Sequence, residues 1–134
     1  MRRGVKEMSF TFTTQRSIYV QLADEIKQRI VLGIYQAEEK LPSVRDFAKE
    51  FSVNPNTMQK ALTELEASGI IYTERTNGKF VCARKDMSQE LRQELAKDIV
   101  KEYIDQMTKL GFSITEAEEF ISNYGREKNG AFNV

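Results

Sequence analysis

Residues 40–69 read KLPSVRDFAKEFSVNPNTMQKALTELEASG, and this stretch decides the fold. It predicts two helices separated by a three-residue turn. Ser43 is placed to cap the first helix, with Asp46 three residues later completing an acidic version of the capping box. Asn54 is placed to cap the second helix, and Pro55 follows at the first helical position, where its missing N–H costs nothing. Two helices joined in this way predict a helix-turn-helix.

The sequence on either side extends this motif into a domain. Upstream, apolar residues recur every fourth position from Ile18 to Ile30 and predict a helix that ends at Gly33 and is followed by a loop. Downstream, two β-prone runs flank an Asn-Gly pair at residues 77–78, the strongest short signal for a β-hairpin. Three helices and a hairpin predict a winged helix-turn-helix, which we assign to residues 10–86.

A second segment of different character begins at Met87. Its apolar positions predict one long helix over residues 88–110, and a capping box of Ser113 and Glu116 opens a last helix. Residues 126–134 show no apolar periodicity, and we expect them to be a flexible tail. The predicted fold class is mainly α with a small β-hairpin wing: a winged helix-turn-helix followed by a two-helix C-terminal segment.

The apolar stripe of the long helix is broader than contact with one short neighbour requires. We therefore expect residues 87–125 to be a dimerisation segment, in which the two helices form a symmetric interface between two copies of the chain. We place any small-molecule effector there too, although the sequence does not identify one. The residues expected in the interface are Leu95, Ile99, Tyr103, Met107, Phe120 and Ile121.

The composition removes most catalytic and metal chemistry. The 134 residues include no histidine and a single cysteine, Cys82. This excludes histidine metal sites, Ser-His and Cys-His triads and an internal disulfide. We therefore predict that the protein is not an enzyme and holds no metal and no cofactor. No apolar stretch is long enough for a signal peptide or a membrane span, so we expect a cytoplasmic protein without membrane contact.

Charge is balanced over the whole chain but not along it. Residues 1–86 carry 14 Lys and Arg against 11 Asp and Glu, whereas residues 87–134 carry 6 against 9. A mildly basic part joined to an acidic part suggests two roles on one chain, and a chance division of the charges is the alternative.

The second helix of a helix-turn-helix enters the major groove, where its N-terminal residues meet the base edges. Asparagine and glutamine side chains pair with adenine, and lysine suits guanine or phosphate. Here that helix turns Asn56, Thr57, Gln59, Lys60 and Thr63 away from its apolar stripe, and we expect the first four to contact DNA. A plain solvated helix face is the alternative.

Other polar side chains are candidates for contact with the DNA backbone or the minor groove. Arg45 lies in the first turn of the preceding helix, and its alternative is an ion pair with Asp46 or Glu50. The hairpin turn offers three further groups, with a merely solvated turn as the alternative: Arg75, Asn77 and Lys79. Basic residues near the N-terminus could form a minor-groove arm, although we favour a disordered tail: Arg2, Arg3 and Lys6.

Three stretches resemble the sequence motifs of GntR-family transcriptional regulators. They are IYVQL at residues 18–22, KLPSVRDFA at residues 40–48 and VNPNTM at residues 53–58. The Asn-Pro-Asn-Thr form is typical of the YtrA-type branch, and the likeness covers about residues 10–84. The wing departs from the family pattern Gly-x-Gly-Thr, because residues 76–79 read TNGK. The resemblance implies a winged-helix domain with these residues facing DNA: Ser43, Arg45, Asn54, Asn56, Thr57, Gln59 and the wing at Gly78.

The resemblance also implies a bacterial regulator that usually represses, often beside genes for ABC transporters. We therefore predict a sequence-specific DNA-binding regulator, a homodimeric repressor of an inverted-repeat operator in double-stranded DNA. Its two recognition helices would lie about 34–36 Å apart, one turn of DNA. The alternative is a winged-helix module that binds a protein partner without specific DNA binding.

Overall fold

Five helices and two strands make up the part of the chain that this computed structural model describes, residues 10–13 and 16–132, with side chains up to residue 128. The helices are α1 (Ile18–Val31), α2 (Val44–Phe51), α3 (Pro55–Ala67), α4 (Met87–Lys109) and α5 (Ile114–Phe132), and the strands are β1 (Ile71–Glu74) and β2 (Gly78–Val81). The predicted class, mainly helical with a small hairpin, is confirmed. None of the described helices is long and apolar enough to cross a membrane.

Local capping fixes where α2 and α3 begin. The Asp46 N–H donates to the Ser43 side-chain oxygen at 3.1 Å, and the Asn56 N–H donates to Asn54 Oδ1 at 2.8 Å. Each bond satisfies one backbone donor that the first turn of a helix leaves without a partner. Ser52 ends α2 in the left-handed conformation, with φ of 55°. Both predicted N-caps and the tight break between the helices are confirmed.

The core of the first part of the chain forms where α1, α2 and α3 meet. Leu22 and Ile26 of α1, Phe47 of α2, and Met58 and Leu62 of α3 have no exposed surface. Burial of side chains of this size stabilises a fold by roughly 1.5–3 kcal/mol each. The three helices therefore hold the two surfaces that flank the turn, the start of α2 and the polar face of α3, in a fixed relation.

Helix α4 begins inside this core and leaves it. Met87 and Leu91 are buried in the same cluster as the residues of α1 to α3. The chain divides into two compact units after Leu95, within α4. The sequence places the boundary at residue 86 instead, because a change in charge pattern marks where the helix begins and not where its packing against the core ends.

The segment before α2, expected from the sequence to be a loop, pairs with the wing. Strands β1 and β2 pair antiparallel, from Ile71 opposite Val81 to Glu74 opposite Gly78. The segment before α2 then joins the free side of β2: the Glu38 N–H donates to the Val81 carbonyl at 2.9 Å, and the Leu41 N–H donates to the Lys79 carbonyl at 2.8 Å. This segment runs directly into the start of α2, so the wing and α2 share one framework.

The second unit contains the rest of α4 and α5. The capping box predicted at residues 113–116 is confirmed by two bonds: the Glu116 N–H donates to the Ser113 side-chain oxygen at 3.1 Å, and the Ser113 N–H donates to Glu116 Oε1 at 2.9 Å. The Tyr103 hydroxyl donates to the Ala117 carbonyl at 2.6 Å. This bond joins α4 to α5 in the middle of the pair.

The predicted flexible tail at residues 126–134 is wrong as far as Phe132, because α5 continues to that residue. Arg126, Glu127 and Lys128 are strong helix formers, and a helix that has already nucleated extends through them without an apolar stripe. Residues 133–134 and the basic residues proposed as an N-terminal arm lie outside the described part of the chain.

Candidate nucleic-acid interface

The exposed face of α3 carries the side chains that the sequence predicts as readers of DNA. The opposite face of the helix is buried in the core, so its orientation is set by packing. Asn56, Gln59 and Lys60 are exposed, and Thr57 is half-buried beside them. The Gln59 amide donates to the Thr63 side-chain oxygen at 3.2 Å, a bond on the surface that water or a base edge can replace. The structure therefore brings these four residues together on one face.

Lys60 does not extend freely from this face. Its ammonium lies 4.0 Å from the centroid of the Tyr19 ring, in the first turn of α1. A cation at this distance from an aromatic face is attracted by the ring quadrupole. No local sequence pattern predicts this contact, because it joins residues far apart along the chain.

Ser43 and Asn54 have a structural role that the resemblance does not describe. Their side-chain oxygens accept the N–H groups at the starts of α2 and α3. Asn54 is exposed, and its amide nitrogen carries two further donors that suit DNA. Both residues therefore fix the local backbone of this surface through their capping bonds.

Arg45 projects from the first turn of α2 without an ionic partner among the described residues. The alternative of an ion pair with Asp46 or Glu50 is not what the structure has, because Glu50 binds Arg29 instead, at 2.6 Å. The guanidinium borders an open concavity of about 560 Å³ between α2 and the start of α3. The concavity is lined by Ser43, Arg45, Asp46, Ala48, Lys49, Val53 and Pro55. Arg45 and Lys49 bring two positive charges to this concavity against the one carboxylate of Asp46, a balance that suits an anionic ligand such as phosphate.

A buried ion cluster holds α1 and α2 together behind this surface. Arg29 is 1% exposed, and its guanidinium binds Glu25 at 3.0 Å, Glu50 at 2.6 Å and the Tyr35 hydroxyl at 2.9 Å. Burial by itself lowers the pKa of Arg29, but the bonds to Tyr35, Glu50 and Glu25 outweigh it and raise that pKa above its ordinary value. The sequence carries one signal of this cluster: Glu25 and Arg29 are four residues apart on the apolar stripe of α1.

Of the three side chains predicted for the wing tip, Arg75 and Asn77 lie there at the surface, whereas Lys79 points back toward α3. Arg75 is exposed without an ionic partner in the described residues, and the Asn77 amide donates to Glu74 at 3.3 Å. Lys79 turns back to α3 instead, where its ammonium lies 3.3 Å from the Glu66 carboxylate. Gly78 has φ of +102°, which side-chain-bearing residues rarely adopt, so the turn requires glycine there.

The second unit exposes a large amount of apolar surface. Of the residues predicted for the dimer interface, Ile99 is 69% exposed, Phe120 50% and Ile121 57%, whereas Leu95, Tyr103 and Met107 are half-buried. Further large apolar side chains are exposed on the same two helices or in the turn between them: Val100, Leu110, Ile114 and Tyr124. Exposed apolar side chains in this number on two consecutive helices favour an interaction site there.

The family model for bacterial regulatory proteins of the gntR family matches residues 18–81, which span α1 to β2. The chain is 35% identical to the uncharacterized HTH-type transcriptional regulator YhcF of Bacillus subtilis over 87% of this chain and 97% of that protein. It is 32% identical to the HTH-type transcriptional repressor YtrA of the same organism, over 84% and 88%.

Solved structures give the same assignment. A GntR family transcriptional regulator from Listeria monocytogenes has a TM-score of 0.72 and 37% identity, over 84% of this chain and 98% of that one. The AraR DNA-binding domain, in complex with operator ORX1, has a TM-score of 0.50 and 26% identity, over 56% of this chain and 96% of that one. These relatives are regulators and not enzymes. The chain belongs to the GntR family of bacterial regulatory proteins, in its YtrA-type branch, and it is a DNA-binding transcriptional regulator.

Proposed function

We propose that this regulator acts in the cytoplasm as a homodimeric repressor that binds an inverted-repeat operator. The observation that carries the proposal is that the chain exposes two different surfaces suited to binding. They are the polar face of α3 and the exposed apolar side chains of α4 and α5. The first suits base edges in a major groove, and the second suits a copy of itself.

The dimer part of the proposal follows from exposure. Ile99, Val100, Ile121 and Tyr124 are each more than half exposed, and water is a poor environment for side chains of this size. A two-fold dimer buries the same patch on both copies. It also presents two recognition helices to one side of the DNA, which favours an operator whose halves are inverted repeats.

Within each half-site, we assign base reading and backbone contact to different residues. Asn56 and Gln59 carry amides that can pair with adenine, and they lie in the part of α3 that enters a groove first. Arg45 and Arg75 have charges that no carboxylate among the described residues neutralises, so we assign them to phosphates. Lys79 is held by Glu66, and we expect it to support the wing instead.

Repression would follow from occupation of a promoter. The relative YtrA is a repressor by name, and a bound dimer that covers promoter DNA excludes polymerase without further machinery. From the resemblance to YtrA-type regulators, we propose that the regulated genes include a transporter operon. An effector, if the protein has one, would act by shifting the dimer that the second unit forms.

Selection of bound duplexes from a random DNA pool, combined with light scattering on the free protein, tests the proposal. We expect a dimer in solution and a selected consensus with inverted-repeat symmetry. Affinity for that consensus should fall steeply with salt, because each neutralised phosphate releases counterions. A monomer, or recovered duplexes without any consensus, would contradict the proposal and favour a module that binds protein.

A further inference from the structure

Lys60 and Tyr19 form a contact between the recognition helix and the start of α1. The Lys60 ammonium lies 4.0 Å from the Tyr19 ring centroid, well within the distance at which an aromatic face attracts a cation. Lys60 is on the exposed face of α3, and Tyr19 is half-buried in the first turn of α1. The ring therefore gives a fixed position to a side chain that is otherwise among the most flexible.

The contact leaves the lysine charge uncancelled. Glu64 follows Lys60 by four residues, a spacing at which helix surfaces form ion pairs. Even so, no carboxylate of the described residues lies within ion-pairing distance of the Lys60 ammonium. An aromatic face attracts a cation without neutralising it, so a full positive charge is held in one place beside α3.

We propose that Tyr19 is a positioning residue that holds Lys60 for a DNA backbone phosphate at the edge of the recognition helix. The inference rests on the proposed function, because it requires α3 to lie in a groove. An ammonium is a compact point charge and suits phosphate without the two-point geometry that reads a base. The Lys60 side chain is directed toward Tyr19 of α1. Its ammonium therefore lies to one side of Asn56 and Gln59, the two residues assigned to base reading.

The experiment compares the selected operator duplex with an unrelated duplex of the same length. Lys60→Met should weaken binding to both by the same factor and flatten the slope of log affinity against log salt by about one. Tyr19→Leu should weaken binding by about two- to fivefold, and Tyr19→Phe should keep it, because the ring face and not the hydroxyl holds the ammonium. The double variant Lys60→Met with Tyr19→Leu should bind no more weakly than Lys60→Met alone.

A graded series guards against a loss of folding in Tyr19→Leu. Replacement of Tyr19 by phenylalanine carrying one, two or three fluorine atoms keeps the shape of the ring and removes the negative charge of its face step by step. We expect binding to fall along the series while Tm stays constant, which a purely structural role would not produce.

Three results would overturn the inference and leave the proposed function standing. They are equal binding along the fluorine series, additive effects of the two substitutions, and a Lys60→Met defect confined to the operator, which would make Lys60 a reader of guanine. Wild-type protein with no salt-dependent binding to either duplex would instead refute the proposed function itself.

Discussion

Arg29 of α1 and Glu50 of α2 form an ion pair of 2.6 Å in which the arginine is almost wholly buried. The guanidinium also lies 4.8 Å from the centroid of the Phe51 ring. The pair therefore fixes α2, which carries Arg45 in its first turn, against α1.

Loss of Arg29 should be strongly destabilising. Arg29→Met leaves the Glu25 carboxylate buried without its partner, and removal of one member of a buried pair lowers the free energy of unfolding by about 3–5 kcal/mol. Arg16→Ala is the matched control, because it breaks the exposed Arg16–Asp24 pair, which typically contributes less than about 1 kcal/mol. Urea unfolding of both variants measures the difference. Similar losses in the two variants would show that the buried cluster contributes no more than a surface pair.

Glu38 holds a backbone conformation that suits glycine, with φ of 63°. Glu38→Gly relieves about 1–2 kcal/mol of strain and loses roughly half of that gain to the greater freedom of the unfolded chain. We therefore expect a small rise in Tm. The neighbour Glu39→Gly is the control and should lower Tm, since Glu39 accepts the Gln36 N–H at 2.9 Å and has no positive φ to relieve. A lower Tm for Glu38→Gly would mean that the Glu38 side chain stabilises the fold by more than its strained backbone destabilises it.

The parts of the fold that follow from local chemistry could be predicted from the sequence. The Asn54-Pro55 start of α3 and the turn at Gly78 depend on residues a few positions apart, and the structure has both. The Arg29–Glu50 pair and the Lys79–Glu66 pair depend on how separate elements pack, which periodicity does not reveal. The pairing of residues 38–41 with β2 could not be predicted for the same reason, because the two segments lie far apart along the chain.

The base-reading assignment makes a prediction about specificity. Asn56→Ala and Gln59→Ala should each relax base preference at one operator position by roughly 1–3 kcal/mol and leave affinity for unrelated DNA unchanged. The cap of α3 should survive Asn56→Ala, since the backbone N–H and not the side chain binds Asn54. Binding to a panel of single-base operator variants measures this. Uniform weakening across the panel would place these amides on the DNA backbone.

Arg45 should behave as a phosphate contact. Arg45→Gln is expected to weaken binding and to flatten the slope of log affinity against log salt by about one, whereas Arg45→Lys should keep most of the slope. Titrations at several salt concentrations separate charge from geometry. A slope unchanged in Arg45→Gln would remove this residue from the interface.

The last prediction concerns the exposed apolar surface of α4. Ile99 is 69% exposed, and in the proposed dimer it lies in the interface of both copies. Ile99→Asp would then bury an unpaired charge twice, at a cost of several kcal/mol, and yield a monomer. Thr108→Asp is the matched control: Thr108 is exposed nine residues further on, two and a half turns at 3.6 residues each, and so on the opposite side of the helix. Light scattering should give a dimer for wild type and Thr108→Asp and a monomer for Ile99→Asp. Loss of the dimer should also weaken operator binding by Ile99→Asp, because a monomer contacts only one half-site. No residue assigned to DNA contact changes in this variant. If Ile99→Asp remained a dimer, α4 would have to pair through another face.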